Sequence, residues 1–193
     1  MRFLPHPPFR FMQQTIIFLH GIFVPNWLGK SKFIWDQSRW KDYNCIWMES
    51  KIPYSDTMVE RELDRLQKLI EQHPNAAIAG QSLGAWWAAN LACRDVDIRK
   101  MVLWTPLVNH EYYPIFNVTP RYNPCRQIPN PHNTGPHKCL VVYGTEDLIV
   151  PHQQHAYQSI IDYRALPYRL EGGHLLQSNH DKALSYMKDW IET

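Results

Sequence analysis

The chain has 193 residues, of which 45% are hydrophobic and 20% are charged, and it contains 8 Trp, 10 Tyr and 7 Phe. This composition is typical of a globular protein that buries a sizeable core, and it excludes a disordered chain. The formal net charge is only +2 and the basic residues are scattered among acids, so we expect no nucleic-acid-binding surface. The length predicts one domain spanning residues 1–193.

The N-terminal segment and the cysteines indicate a cytoplasmic protein. Three prolines interrupt the apolar residues of segment 1–14, which therefore lacks the continuous apolar core of a secretion signal. No stretch approaches the roughly 18 apolar residues of a membrane helix, so we expect no membrane span. The four cysteines lack the short C-x-x-C spacing of a metal or redox site, which favours structural free thiols. They are Cys45, Cys93, Cys125 and Cys139.

The first predicted elements are two strands separated by a long loop. TIIFLH (15–20) is a β-branched and aromatic run bounded by Gly21, which is typical of a strand buried on both faces. NCIWMES (44–50) has a similar pattern. We predict a short helix near 34–40 within the loop between them.

A helix follows the second strand. Thr57 and Glu60 have the spacing of a capping box, which marks a helix start. Apolar residues then recur at helical spacing, so we predict an amphipathic helix that ends before Pro74. These apolar positions are Val59, Leu63, Leu66 and Ile70.

The rest of the chain alternates strands and helices around one irregular segment. A small, apolar strand at 76–80 precedes a helix at 82–94, and further strands are predicted at 100–105, 139–144 and 168–172, with helices near 152–162 and 179–192. Such alternation implies parallel crossovers, so we predict a three-layer α/β fold: an open, mostly parallel sheet of about six strands with helices on both faces. Seven prolines in 106–137 exclude a regular helix or central strand there, and we interpret this Pro-rich segment as an excursion within the domain.

One short motif carries the candidate chemistry. Gly80-Gln81-Ser82-Leu83-Gly84 has the G-x-S-x-G form and lies where a predicted strand turns into a helix. A serine in such a sharp turn takes a strained backbone conformation, and side chains at the flanking glycines would collide with neighbouring elements. We predict that Ser82 is a nucleophile.

A serine nucleophile needs a general base and an acid that holds it. Asp147 follows the strand at 139–144, and His174 follows the last strand, so the chain order is Ser, Asp, His. Sites in open parallel sheets form beyond the carboxyl ends of the strands, where all three residues are predicted to lie. Glu146 is the rival acid, and we expect it to be a solvated loop residue.

Other histidines have structural interpretations. His152, His155 and His180 lie at predicted helix starts, where polar residues commonly cap, so we predict that they are surface residues. His20 ends the first strand and is predicted to have a structural role.

These motifs together resemble the α/β-hydrolase fold serine hydrolases, in particular a small, compact branch without a cap domain. The matching segments are FLHGI (18–22), GQSLG (80–84), GTEDLIVP (144–151) and GGH (172–174), and the resemblance extends from Thr15 to the C-terminus. It implies that the backbone N–H groups of Ile22 and Leu83 form an oxyanion hole. The chain before Thr15 is too short for the usual first two strands of larger members.

The predicted reaction is hydrolysis of an acyl ester of a small molecule by Ser82, His174 and Asp147 through an acyl-enzyme. A thioesterase or small-amide hydrolase with the same residues, and a non-catalytic binding protein on a hydrolase fold, remain alternatives. No metal or organic cofactor is implied. Apolar side chains after two strand ends are candidates for substrate binding, with packing of the loops onto the sheet as the equal alternative. They are Phe23, Trp27, Leu107 and Tyr112.

Overall fold

A computed structural model describes residues 13–21, 37–113, 116–176 and 178–193. Within them, six strands form one sheet in the order β2-β1-β3-β4-β5-β6, and every neighbouring pair is parallel. The strands are β1 (Thr15–Leu19), β2 (Asn44–Met48), β3 (Ala77–Gln81), β4 (Lys100–Trp104), β5 (Cys139–Gly144) and β6 (Leu166–Leu170). The helices are α1 (Asp56–Gln72), α2 (Leu83–Ala92), α3 (Ala156–Asp162) and α4 (His180–Glu192).

Alternation along the strands divides the core into two layers. In β1, Ile17 and Leu19 face the cluster that includes α1, α2 and residues of α3, whereas Ile16 and Phe18 face the cluster that includes α4. Because side chains of a strand alternate between its faces, a run that is apolar at every position needs helices on both sides. The predicted three-layer fold is therefore confirmed.

The first long helix begins earlier than the sequence pattern predicts. The Ser55 hydroxyl, at the N-cap, accepts a hydrogen bond from the Met58 N–H (3.3 Å), so the predicted cap at Thr57 is wrong. Both side chains are oxygen acceptors that suit a helix start, and the earlier one is used. The predicted apolar face is confirmed, since its four residues are buried.

The last strand also differs from its predicted range. It starts at Leu166 rather than Tyr168, and it includes Pro167, which pairs with Val141. A proline has no backbone N–H to donate to a neighbouring strand, so the sequence pattern did not predict a strand at this residue. Since β6 lies at the sheet edge, the missing donor is tolerated.

The Pro-rich excursion is irregular but well anchored. Its described residues form four short 3-10 turns. Thr119 donates from its backbone N–H and its hydroxyl to the Asp56 carboxylate (2.9 and 2.8 Å), which ties the excursion to the start of α1. The buried Asn133 amide accepts from the Ile98 N–H (2.8 Å) and donates to the Ala92 and Val96 carbonyls. Side-chain hydrogen bonds thus replace regular secondary structure here.

Two further findings bear on the sequence expectations. All four cysteines are free thiols. In the described part of the chain, none of the helices has both the length and the apolar character needed to cross a bilayer.

Candidate active site

Ser82 lies in the sharp turn that links β3 to α2, with φ 51° and ψ −114°. A Cβ at Gly84 would lie 1.9 Å from the Leu19 carbonyl oxygen, and one at Gly80 would lie 2.4 Å from the Gly84 carbonyl oxygen. Both distances are far below van der Waals contact, so the turn requires glycine at both flanks. A positive φ at a serine indicates a strained residue held by its surroundings.

Backbone hydrogen bonds fix this turn to its neighbours. The Ser82 N–H donates to the Trp104 carbonyl at the end of β4 (3.0 Å), and the Leu107 N–H donates to the Ser82 carbonyl (3.2 Å). A Cβ at Gly21 would lie 3.9 Å from the Ser82 Oγ, so the segment after β1 passes close to the hydroxyl. Leu83 is the first residue of α2, and the first N–H groups of a helix have no acceptor within it. The Leu83 N–H therefore has no acceptor within α2 and lies at the positive end of that helix.

Asp147 lies in the loop after β5 and is only 5% exposed. Its Oδ1 accepts from the backbone N–H groups of Ile149 (3.0 Å) and Val150 (2.8 Å), while its Oδ2 lies 2.7 Å from the His174 Nδ1. A carboxylate oxygen only accepts, so the His174 Nδ1 donates. That tautomer leaves the His174 Nε2 with the lone pair that a general base needs.

The loop that carries His174 is packed closely against β5. A Cβ at Gly144 would lie 2.2 Å from the Gly172 carbonyl oxygen, so the two loops approach with no room for a side chain. Leu176, with φ 50°, is fully buried, and the Asn179 amide donates to the Glu171 carbonyl (2.8 Å). These contacts restrain His174 from both sides of its loop.

The three predicted residues follow β3, β5 and β6, whose carboxyl ends share one edge of the sheet. Asp147 and His174 are hydrogen-bonded there, and Ser82 lies in its turn at the same edge. Glu146 is exposed, as expected for the rival acid, and its backbone N–H donates to the Gly172 carbonyl (3.0 Å). The geometry therefore assigns the partner of His174 to Asp147.

Most residues predicted to bind substrate or the oxyanion lie outside the part of the chain that the structure describes. Ile22, Phe23 and Trp27, and the side chain of Tyr112, lie outside the described residues. Leu107 is only 4% exposed and packs in the core cluster of α1 and α2. This burial favours the packing interpretation for Leu107, whose role toward substrate stays a prediction.

Two histidines depart from their predicted positions. His155 is fully buried and His180 is 6% exposed, so the prediction that both are surface residues is wrong. Each lies at a helix start, but its ring packs inward, against Tyr113 and Trp104 respectively, instead of capping the helix through its side chain. A histidine at a helix start can face the sheet or the solvent, and sequence position alone does not distinguish the two.

His155 is a residue that the sequence analysis missed. Its Nδ1 accepts from the backbone N–H groups of Val108 (3.3 Å) and Asn109 (3.2 Å), and burial lowers the pKa of the ring to about 4. It lies eight positions after Asp147. Residues three positions apart on a helix share a face, so the spacing of His152 and His155 gives no signal that His155 is fully buried.

A separate, shallow and partly open cleft lies at the carboxyl ends of β1 and β2. In it the Glu62 carboxylate pairs with Lys51 (2.8 Å) and Arg65 (2.9 Å), so its buried charge is compensated. Neither Ser82 nor the acid–base pair lines this cleft. Across the described ranges, no group of three His, Cys, Asp or Glu side chains is placed to hold a metal ion.

Solved structures with the same architecture are numerous, although no protein-family model matches the chain and no curated protein matches it significantly. MGS-MChE2, an α/β hydrolase enzyme from a sediment metagenome of the Mar Chica lagoon in Morocco, has a TM-score of 0.69 at 17% identity, over 93% of this chain and 91% of its own. Esterase 2 of Thermogutta terrifontis, phosphoramylated by tabun, has a TM-score of 0.65 at 13% identity, over 93% and 82%. CarC, a serine hydrolase involved in carbazole degradation, has a TM-score of 0.61 at 15% identity, over 93% and 91%.

Proposed function

We propose that this chain, which has the α/β-hydrolase fold, is a serine hydrolase that cleaves an acyl ester of a small molecule. The observation that carries the proposal is the 2.7 Å hydrogen bond between His174 and the buried Asp147, at the sheet edge where Ser82 is held at positive φ. A strained serine and an oriented imidazole are the two parts that nucleophilic acyl transfer requires.

In the first half of the reaction, the Ser82 hydroxyl attacks the acyl carbon while the His174 Nε2 takes its proton. Asp147 stabilises the resulting imidazolium through the bond to Nδ1. The developing oxyanion accepts from the Leu83 N–H at the start of α2, and the resemblance assigns the second donor to Ile22. Collapse of the tetrahedral intermediate breaks the ester bond, and the imidazolium returns its proton to the leaving alkoxide.

In the second half, water replaces the alcohol. His174 takes a proton from the water as its oxygen attacks the acyl-enzyme, and the same oxyanion donors stabilise the second tetrahedral intermediate. When this intermediate collapses, the carboxylic acid leaves and the proton returns to Ser82. The enzyme is then restored, and no cofactor takes part in either step.

The choice of an ester rests on the chemistry of the site and on the structural neighbours. A serine acyl-enzyme serves esters, thioesters and small amides alike, and an alkoxide leaves more readily than an amide nitrogen but less readily than a thiolate. One protein of this fold, the Thermogutta terrifontis enzyme, is an esterase that tabun phosphoramylates. Thioesters and small amides are therefore the alternatives that a substrate screen must include.

A fluorophosphonate probe tests whether Ser82 is an activated nucleophile. Intact-mass measurement should show one adduct on the wild type and none on Ser82→Ala, while the matched variant Ser178→Ala, at an exposed serine, should react like the wild type. Ser82→Ala should lower kcat by about 10⁶-fold, the effect of removing a triad serine. Well-folded wild-type protein that the probe does not modify would reject the hydrolase and favour a binding protein.

A graded series of substrates tests the bond that is cleaved. Matched acyl esters and thioesters of increasing chain length, with small amides of the same acids, should give the highest kcat/KM for the esters, with Ser82→Ala as the blank. A higher value for thioesters or amides would keep the mechanism and replace the substrate class.

A further inference from the structure

His155 lies beside the site but belongs to none of the three proposed catalytic positions. It precedes α3, is fully buried, and its Nδ1 accepts from two successive backbone N–H groups, those of Val108 and Asn109. An imidazole nitrogen that accepts carries no proton, so the neutral ring is protonated on Nε2.

The two donors belong to the loop that also holds the serine. Leu107, the residue before Val108, donates its N–H to the Ser82 carbonyl (3.2 Å). Three consecutive backbone N–H groups thus connect the serine turn at one end with the His155 ring at the other. The loop after β4 cannot shift relative to His155 without pulling on the Ser82 backbone.

His155 also lies near Asp147 and His174. Asp147 and His174 are both within electrostatic range of the ring, and Tyr113, whose ring centroid lies 5.8 Å away, is a further titratable neighbour. The Tyr113 hydroxyl donates to the Ile149 carbonyl (2.8 Å), and the Ile149 N–H donates to Asp147. The ring is therefore packed between the loop that fixes Ser82 and the loop that carries the acid.

We propose that His155 is a positioning residue that sets the distance between Ser82 and the Asp147–His174 pair by anchoring the loop after β4. This role rests on the proposed hydrolase function. A neutral ring suits the role, because a second positive charge beside His174 would oppose the imidazolium that forms during attack. The buried ring stays neutral because desolvation lowers its pKa to about 4.

Substitutions that keep or remove the acceptor test the proposal. His155→Asn places an amide oxygen near the position of Nδ1, whereas His155→Gln places it near Nε2 and His155→Leu provides no acceptor. We expect His155→Leu and His155→Gln to lower kcat by about 10- to 100-fold with little change in KM, since misplacement by about 1 Å costs that much. His155→Asn should retain most of the wild-type kcat.

Tyr163→Phe is the matched control for loss of a buried hydrogen bond. It removes the bond from the Tyr163 hydroxyl to the Ala89 carbonyl (2.9 Å) at the other end of α3. We expect this variant to lower Tm without changing kcat. If Tyr163→Phe lowers kcat as much as His155→Leu does, or if Asn and Gln at position 155 are equally slow, the positioning role is overturned.

Two arms separate this proposal from the proposed function. If the wild type is not labelled by the fluorophosphonate, the hydrolase function fails whatever His155 does; if the wild type is active and His155→Leu retains its kcat, only the positioning role fails. Nitrogen NMR of the resting protein provides a readout without substrate. Its ¹⁵N shifts should show a protonated Nε2 and an unprotonated Nδ1 at His155, and the opposite tautomer would overturn the proposed anchor.

Discussion

In the serine turn, the backbone leaves no room for a side chain at two positions, whereas in the Asp147–His174 pair, side chains from two loops meet through hydrogen bonds. The turn consists of five consecutive residues. Its backbone passes so close to neighbouring elements that a Cβ added at Gly84 would lie only 1.9 Å from another backbone atom. The pair joins residues 27 positions apart, and packing and backbone donors hold it in place.

The difference indicates which property each region controls. The turn tolerates no added volume at its two flanking glycines, so substitutions that add a side chain there should act on folding. A hydrogen-bonded pair tolerates a change of atom type at constant shape, so substitutions there should act on chemistry and leave the fold in place. His155 connects the two regions, and its variants should affect both properties to a lesser degree.

The largest effect is expected at the turn. In Gly84→Ala the new methyl group would overlap the Leu19 carbonyl oxygen at 1.9 Å, and both lie in rigid backbone, so the cost should exceed about 4 kcal/mol of unfolding free energy. Circular dichroism and thermal unfolding should show loss of the folded state. Gly135→Ala is a matched control, because a Cβ there meets no atom within 4 Å and only its φ of 112° is unfavourable. A fully folded Gly84→Ala protein would contradict the steric basis of the turn.

The next effect is expected at the pair. Asp147→Asn keeps the shape of the acid but turns a donor or a neutral acceptor toward the His174 Nδ1, which disfavours the productive tautomer, so kcat should fall by about 10⁴-fold. Steady-state kinetics measure the loss, and Tm should change far less than in the turn variant. Glu146→Gln, at the exposed neighbouring carboxylate, should retain wild-type kcat. Equal losses in the two variants would contradict the assignment of Asp147.

The smallest effect is expected in the acid stability that His155 controls. Burial lowers its folded-state pKa from 6.5 to about 4, so the unfolded chain binds more protons between these values and the free energy of unfolding falls as the pH decreases from about 6.5 to 4. The loss is at most about 3 kcal/mol. Urea unfolding at pH 7 and pH 4.5 should show a weaker pH dependence in His155→Asn than in the wild type. Identical pH dependences would show that the ring is not buried in its neutral form.

Three other histidines with lowered pKa values provide an internal reference for that measurement. Burial also lowers the pKa values of His20, His110 and His180, and each of them is present in both proteins. Their contribution cancels in the comparison, so the difference between wild type and variant isolates His155.

The sheet was predictable because its signal is local. Apolar runs such as 139–144 match the strand in full, and the strand, glycine and helix pattern around Ser82 has one sterically allowed form. The start of α1 was predicted two residues late, since Ser55 and Thr57 are chemically equivalent caps and only the structure shows which one meets an N–H. The first two residues of β6 were not predicted because one of them is Pro167, and a proline is compatible with a strand only where that strand lies at the sheet edge.

The site was predictable as a set of residue types but not as a set of contacts. The order of Ser82, Asp147 and His174 can be read directly from the sequence. That His174 is hydrogen-bonded to Asp147 and not to Glu146 depends on which of the two adjacent carboxylates is buried. The single-domain prediction and the role of the oxyanion donor at Ile22 stay predictions. His155 was placed on the surface because its helix start looks like any other, and its burial depends on the excursion that folds over it.

The sequence by itself determined most of the strands and the turn that holds the serine, because each depends on residues within a few positions of one another. The tertiary structure decided which carboxylate is hydrogen-bonded to His174 and which histidine binds the loop after β4. Those choices depend on burial and on hydrogen bonds between segments far apart in the chain, and such contacts exist only once the sheet has brought the loops to a common edge.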